Sequence, residues 1–182
     1  MCVGALAVLY ANIGAGAWAR RSAIAWMMGS WGARLTVQAL HTPAPEVRRL
    51  PASRFQLLSF AAFFSLPGLI ASRNPEPSLS PIEIAASAFW VFAFAGETTA
   101  DRQLLRFTSK PENAGMTCRS GLWRYSPYAH AIFETLIWTA LALYASASPW
   151  GWLACACPIA RVWMLVRRGH EGVRAGTGHA VP

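Results

Sequence analysis

Apolar residues in this chain come in blocks, and most of the polar residues collect between the blocks. Several blocks approach the ~20 residues that an α-helix needs to cross the hydrocarbon core of a bilayer. Six can be drawn, at about 2–19, 23–40, 55–72, 81–97, 131–147 and 149–166. The pattern therefore predicts an all-α protein, a multi-pass transmembrane bundle of about six helices formed by residues 1–166. Residues 167–182 are predicted to be a polar, disordered tail.

Local signals sharpen some of these boundaries. Ser80 followed by Pro81 is a helix-entry signal, with Ser as the cap and Pro at the first helical position. The short stretch 146–149 predicts a tight antiparallel hairpin between the last two segments. The first segment, 2–19, is interpreted as a retained helix rather than a cleaved signal peptide, because its basic residues follow the apolar run.

Two arginines interrupt the apolar pattern. Arg34 lies in the second segment and Arg161 in the sixth, which makes both segments weaker candidates for membrane spans. Pro67 lies in the third segment, where a membrane helix can accommodate it as a kink.

Composition agrees with a membrane class. Apolar residues make up 54% of the chain and charged residues 13%, about half the ~25% charged share of a soluble domain. The net charge of +8 comes from 15 Arg and one Lys that lie mainly between the apolar blocks. Membrane topology explains this placement, and no nucleic-acid motif is present, so the expected partner is a lipid bilayer and not nucleic acid.

The distribution of basic residues predicts an orientation. With six segments, the 41–54 loop, the 98–130 loop and the C-terminal tail share one side. That side carries eleven basic residues and the other side three. Because basic loops stay in the cytoplasm, the 98–130 loop and both termini are predicted to be cytoplasmic.

The four cysteines carry no recognisable chemistry. None forms a CxxC pair, and no histidine stands at zinc-ligand spacing, so no metal site is expected. Cys155 and Cys157 are two residues apart, and a helix would point them to different faces.

The longest polar stretch begins with Glu97 and Asp101, which are four residues apart and share a helix face. Two acids so placed repel each other unless a cation or a hydrogen-bond donor lies between them. The pair is either a solvated helix end or part of a site. Arg102 and Arg106, also four apart, occupy a neighbouring face.

Two further features of this region have both a structural and a functional interpretation. The run 121–126 reads GLWRYS, which suits either a phosphate cradle with a stacking ring or an interfacial anchor. Glu134 lies one turn inside the fifth segment, where an acid is costly in lipid. It should face the bundle and have a partner, either as a structural group or as a ligand-binding group.

The runs GETTADRQLLRF, CRSGLWRYS, FETLIW and SPWGW resemble the bacterial DUF1295 membrane proteins. These belong to the superfamily of steroid 5α-reductases and isoprenylcysteine methyltransferases. The resemblance is dense from Gly96 to about Trp152. It implies a helical protein of the bacterial inner membrane whose cytosolic side binds NADPH and which reduces a lipid-like enone.

The resemblance also assigns roles. Glu134 is implied as the catalytic acid. The residues implied in cofactor binding are Glu97, Asp101, Arg106, Gly121, Trp123, Arg124, Tyr125, Ser126 and His130. No role for a metal is implied.

Two departures from the family leave the activity open. The family usually continues after Ser126 with RHPNY, whereas residues 127–131 here read PYAHA, with His130 at the Asn position. The tail also lacks the family's acid and its Tyr-rich basic stretch. The alternatives to a reductase are an S-adenosylmethionine-dependent methyltransferase of the same superfamily and a non-catalytic membrane protein.

Overall fold

The computed structural model describes residues 17–41, 63–113 and 116–177, and every regular element in these ranges is helical. The five α-helices are α1 (Trp18–His41), α2 (Leu66–Ser72), α3 (Pro81–Thr108), α4 (Ala129–Ala145) and α5 (Ala156–Thr177). Three 3₁₀ turns lie at Pro111–Asn113, Gly121–Arg124 and Gly151–Cys155. The all-α prediction is confirmed.

The transmembrane spans of that prediction are not found among the described helices. Across the three described ranges, no helix combines the length and the apolar character that crossing a bilayer demands. α4 has only 17 residues, and the longer α3 carries charged residues near both of its ends.

The helices do not end where the apolar blocks end. α3 continues beyond the predicted segment 81–97 to Thr108, so the loop predicted at 98–130 begins as helix. α5 likewise continues to Thr177 through residues predicted to be a disordered tail. Polar residues extend both helices because hydrogen bonding along the backbone does not depend on side-chain polarity. The predicted segment 2–19 lies almost wholly outside the described residues, as does the first part of 55–72.

Among the described helices, α3 and α4 form the most extensive contact. Trp90 and Trp138 are fully buried in the core, and Trp138 meets Trp31 of α1 edge-on at 5.0 Å between ring centroids. The helices approach closely at Gly96, where an added Cβ would lie 2.1 Å from the ring of Phe133. A side chain at position 96 would therefore separate the two helices.

A buried ion pair fixes the start of α3. Ser80 and Glu83 form a capping box, which confirms the predicted helix entry at Ser80-Pro81. Glu83 is also ion-paired with the fully buried Arg20 of α1, and this hydrogen bond raises the pKa of the Arg20 guanidinium. Arg20 also donates to backbone oxygens of the connection before α3, those of Asn74, Glu76 and Ser78. The N-terminal end of α3 is thus held by an ion pair and by hydrogen bonds within the protein.

Candidate functional site

Fourteen residues further along α3, about 21 Å from Glu83, Glu97 and Asp101 face Arg34 of α1. Arg34 Nη2 lies 2.5 Å from Oε1 of Glu97, and Nη1 donates to Oδ2 of Asp101 at 2.8 Å. Glu97 is fully buried, and Asp101 and Arg34 are largely so. The cation that the spacing of the two acids requires is therefore Arg34, the residue that interrupts the second apolar segment.

His130 of α4 joins the same group. Its Nδ1 lies 2.7 Å from Oδ1 of Asp101. An ionised carboxylate only accepts hydrogen bonds, so Nδ1 is the nitrogen that donates. The other ring nitrogen, Nε2, lies 3.8 Å from Oε1 of Glu97 and 3.6 Å from Oε2 of Glu134. Both distances exceed hydrogen-bond length.

Glu134 lies one turn after His130 on α4 and is ion-paired with Arg161 of α5. Both side chains are mostly buried, at 17% and 11% exposure. The prediction that Glu134 faces the bundle and has a partner is confirmed. We call the six residues Arg34, Glu97, Asp101, His130, Glu134 and Arg161 the charge cluster.

The turn Gly121–Arg124 docks onto α3 beside the charge cluster. Leu122 N–H donates to Oε1 of Gln103 at 2.8 Å, and Trp123 Nε1 donates to the carbonyl of Ala100 at 2.8 Å. Gly121 has φ of 59° and lies against the Gln103 amide, so both its backbone and its surroundings favour glycine. Trp123 is thus anchored to α3 through its indole N–H.

The remaining predicted site residues point elsewhere. Arg124 and Tyr125 are exposed, and Tyr125 has 88% of its surface accessible. Ser126 accepts a hydrogen bond from Tyr128 N–H within its own turn. Arg106 is exposed and lines a groove of about 230 Å³ with Gln103, Phe107, Lys110, Asn113 and Ser120.

Sequence reasoning missed three residues that shape the site: Arg34, Arg161 and Gln103. A signal was available for the two arginines, because a cation inside an apolar segment needs an acidic partner. The sequence offered no such signal for Gln103, whose role follows from the docking of a distant turn. Among the cysteines, Cys155 is exposed and Cys157 buried, which confirms that they point to different faces.

The fold and site define an all-helical protein whose α1, α3, α4 and α5 are joined by a buried charge cluster. The family described as "Protein of unknown function (DUF1295)" matches residues 52–176, more than half of the chain. The chain belongs to this family. Neither a curated protein nor a solved structure matches it.

Proposed function

We propose that this protein is a membrane oxidoreductase that uses NADPH to reduce a carbon–carbon double bond conjugated to a carbonyl group in a lipid-like molecule. One observation carries the proposal. Four residues that the family resemblance implicates, namely Glu97, Asp101, His130 and Glu134, meet in one cluster although they come from two helices. The docked turn Gly121–Arg124 brings Gly121 and Trp123, which the resemblance also implies in cofactor binding, next to them.

The chemistry divides between the cofactor and the chain. A bound nicotinamide supplies the hydride, which goes to the carbon β to the carbonyl. The Arg161 guanidinium, positioned by its ion pair with Glu134, would polarise the carbonyl oxygen as negative charge develops on it. A proton taken up at the α carbon completes the saturated product.

Exposed apolar side chains support a lipid environment for the protein and a lipid-like substrate. Large apolar side chains with about half or more of their surface accessible occur on three helices, at Trp26, Val91, Phe92, Ile159 and Trp163. Extended exposed apolar surface marks interaction sites in proteins. Together with the basic-residue bias, this surface supports placement in the bacterial inner membrane, with the 98–130 loop and both termini in the cytoplasm.

A non-catalytic membrane protein is the second candidate, because the carboxylates of the charge cluster are already ion-paired with arginines inside the protein. A methyltransferase that uses S-adenosylmethionine is the third, by membership of the same superfamily. The three candidates differ in the small molecule that they bind.

Titration of the detergent-purified protein with NADPH, NADH and S-adenosylmethionine tests the proposal. Saturable quenching of NADPH fluorescence supports the reductase. Saturable binding of S-adenosylmethionine alone would replace it with the methyltransferase, and binding of none would leave the non-catalytic candidate. Mass spectrometry of nucleotide retained through purification gives an independent readout.

The variant Asp101→Ala tests the site itself. If Asp101 serves the nucleotide, the variant binds NADPH more weakly than the wild type does. The matched control is Glu112→Gln, which changes an exposed acid outside the charge cluster. Equal NADPH affinity in Asp101→Ala and Glu112→Gln would remove Asp101 from the cofactor site.

A further inference from the structure

Three hydrogen-bond acceptors face one another in the charge cluster. Because Nδ1 of neutral His130 donates to Asp101, Nε2 presents a lone pair. Nε2 lies 3.8 Å from Oε1 of Glu97 and 3.6 Å from Oε2 of Glu134. Three acceptors around one centre attract a cation.

Glu97 gives a further sign of a missing ligand. It is fully buried, and among the described residues no hydrogen bond reaches its Oε2. Arg34 compensates its charge by an ion pair to Oε1. A buried carboxylate oxygen without a hydrogen bond is costly, because the lost hydration is not replaced.

The spacing suits coordination of a metal ion. One ligand atom from each of Glu97, His130 and Glu134 can be chosen so that all three lie within 4.8 Å of one another. Two ligands each about 2.1 Å from a zinc ion at a tetrahedral angle lie about 3.4 Å apart. The 3.6 Å and 3.8 Å separations are close to this value and need only small side-chain movements.

We propose that Glu97, His130 and Glu134 bind a first-row divalent transition-metal ion such as zinc or cobalt. One imidazole nitrogen and two carboxylate oxygens suit these ions better than they suit Ca²⁺ or Mg²⁺, which prefer oxygen alone. Asp101 holds the imidazole by Nδ1, as carboxylates do behind metal-bound histidines. Three protein ligands leave at least one coordination position for water or a substrate oxygen.

The metal site goes beyond the proposed reductase and does not depend on it. Its three ligands are side chains of α3 and α4, so a metal ion can bind there without a bound nucleotide. His130 is central, because the asparagine usual in the family at this position would offer an amide in place of the imidazole.

Metal titration of the purified full-length protein tests the site. After treatment with EDTA and removal of the chelator, the protein is titrated with Co²⁺ and followed by visible absorption, then with Zn²⁺ as a competitor. We expect one Co²⁺ per chain, with d–d bands that Zn²⁺ abolishes and excess Mg²⁺ does not. His130→Asn and Glu97→Gln should each abolish the bands, and Asp101→Asn should weaken binding by about 10–100-fold.

Glu112→Gln is the matched control, because it removes an exposed carboxylate without touching the cluster. Its Co²⁺ affinity should equal that of the wild type, and circular dichroism should show that every variant keeps its helical content. His130→Asn changes only a partly exposed side chain, so it remains informative if Glu97→Gln does not fold.

Two outcomes overturn the proposal. Absence of saturable Co²⁺ and Zn²⁺ binding by the wild type would show that the cluster does not hold a metal ion. Equal Co²⁺ affinity in wild type and His130→Asn would place any bound metal elsewhere. NADPH titration of the same samples distinguishes the two proposals. A protein that binds Co²⁺ but not NADPH would support the metal site and contradict the reductase, and a protein that binds NADPH but not Co²⁺ would do the opposite.

Discussion

Arg34 of α1 and Asp101 of α3, which are 67 residues apart in the sequence, are joined by a hydrogen bond of 2.8 Å. The same guanidinium pairs with the buried Glu97, one turn earlier on α3. One arginine therefore compensates two acids that would otherwise repel each other on one helix face. This contact makes the acid pair an internal feature of the bundle rather than a solvated helix end.

Removal of Arg34 should strongly destabilise the protein. Arg34→Leu leaves Glu97 buried without its cation, and such a loss costs about 3–5 kcal/mol of unfolding free energy. The measurement is the unfolding free energy in detergent. Adding Glu97→Gln to this variant should recover part of the loss, because the uncompensated charge is then gone.

The control for Arg34 is the exposed pair Lys110–Glu112, with 3.9 Å between its charged atoms. Lys110→Ala should leave the unfolding free energy almost unchanged, because exposed ion pairs contribute little. If Arg34→Leu were as harmless as Lys110→Ala, the charge cluster would not stabilise the fold.

Gly96→Ala should weaken the α3–α4 contact. The new Cβ would meet the Phe133 ring at 2.1 Å, and overpacking of this kind costs about 1–3 kcal/mol. Phe133→Leu in the same chain should restore part of the stability by making room. Ala95→Leu, on an exposed position beside Gly96, serves as the control. Thermal unfolding that is unchanged in Gly96→Ala would contradict the close approach of the two helices.

The altered segment 127–131 should limit cofactor affinity. Replacement of PYAHA by the family's RHPNY should raise NADPH affinity, because a hydrogen bond to a charged phosphate contributes about 1.5–3 kcal/mol. Two such bonds correspond to several hundred-fold or more, at ~1.4 kcal/mol for each factor of ten. The backbone can accept the change, since Ala129 is the first residue of α4, where proline is favoured.

Fluorescence titration with NADPH measures this effect, and circular dichroism checks the fold of the five-residue variant. The prediction is wrong if the native protein already binds NADPH with micromolar affinity and the altered protein binds no better. Tyr128 and His130 would then be the residues to test as replacement ligands.

Cysteine labelling tests the membrane orientation. In a cysteine-free background, Ser109→Cys and Thr177→Cys should not react with an impermeant maleimide added to intact cells, because the proposed orientation puts both on the strongly basic, cytoplasmic side. Ser146→Cys, in the hairpin before α5, should react from outside. After permeabilisation, the cysteines at positions 109 and 177 should both become labelled. External labelling of Ser109→Cys would contradict the six-segment topology.

The sequence by itself determined the helical class and several local features. Ser80 and Pro81 specify the start of α3 because a cap and a fixed φ act within one turn. The need of Glu97, Asp101 and Glu134 for partners follows from the cost of burying a charge.

The tertiary structure decided which partners those are. Arg34 and Arg161 reach their acids only because α1 and α5 pack against the pair formed by α3 and α4, and no local pattern encodes that choice. His130 acquires its position in the same way, since Asp101 orients its ring across the helix contact. The sequence predicted no metal site because its spacing rules search within one segment, whereas the proposed ligands come from two helices. Side-chain chemistry is thus local, but its assembly depends on long-range packing.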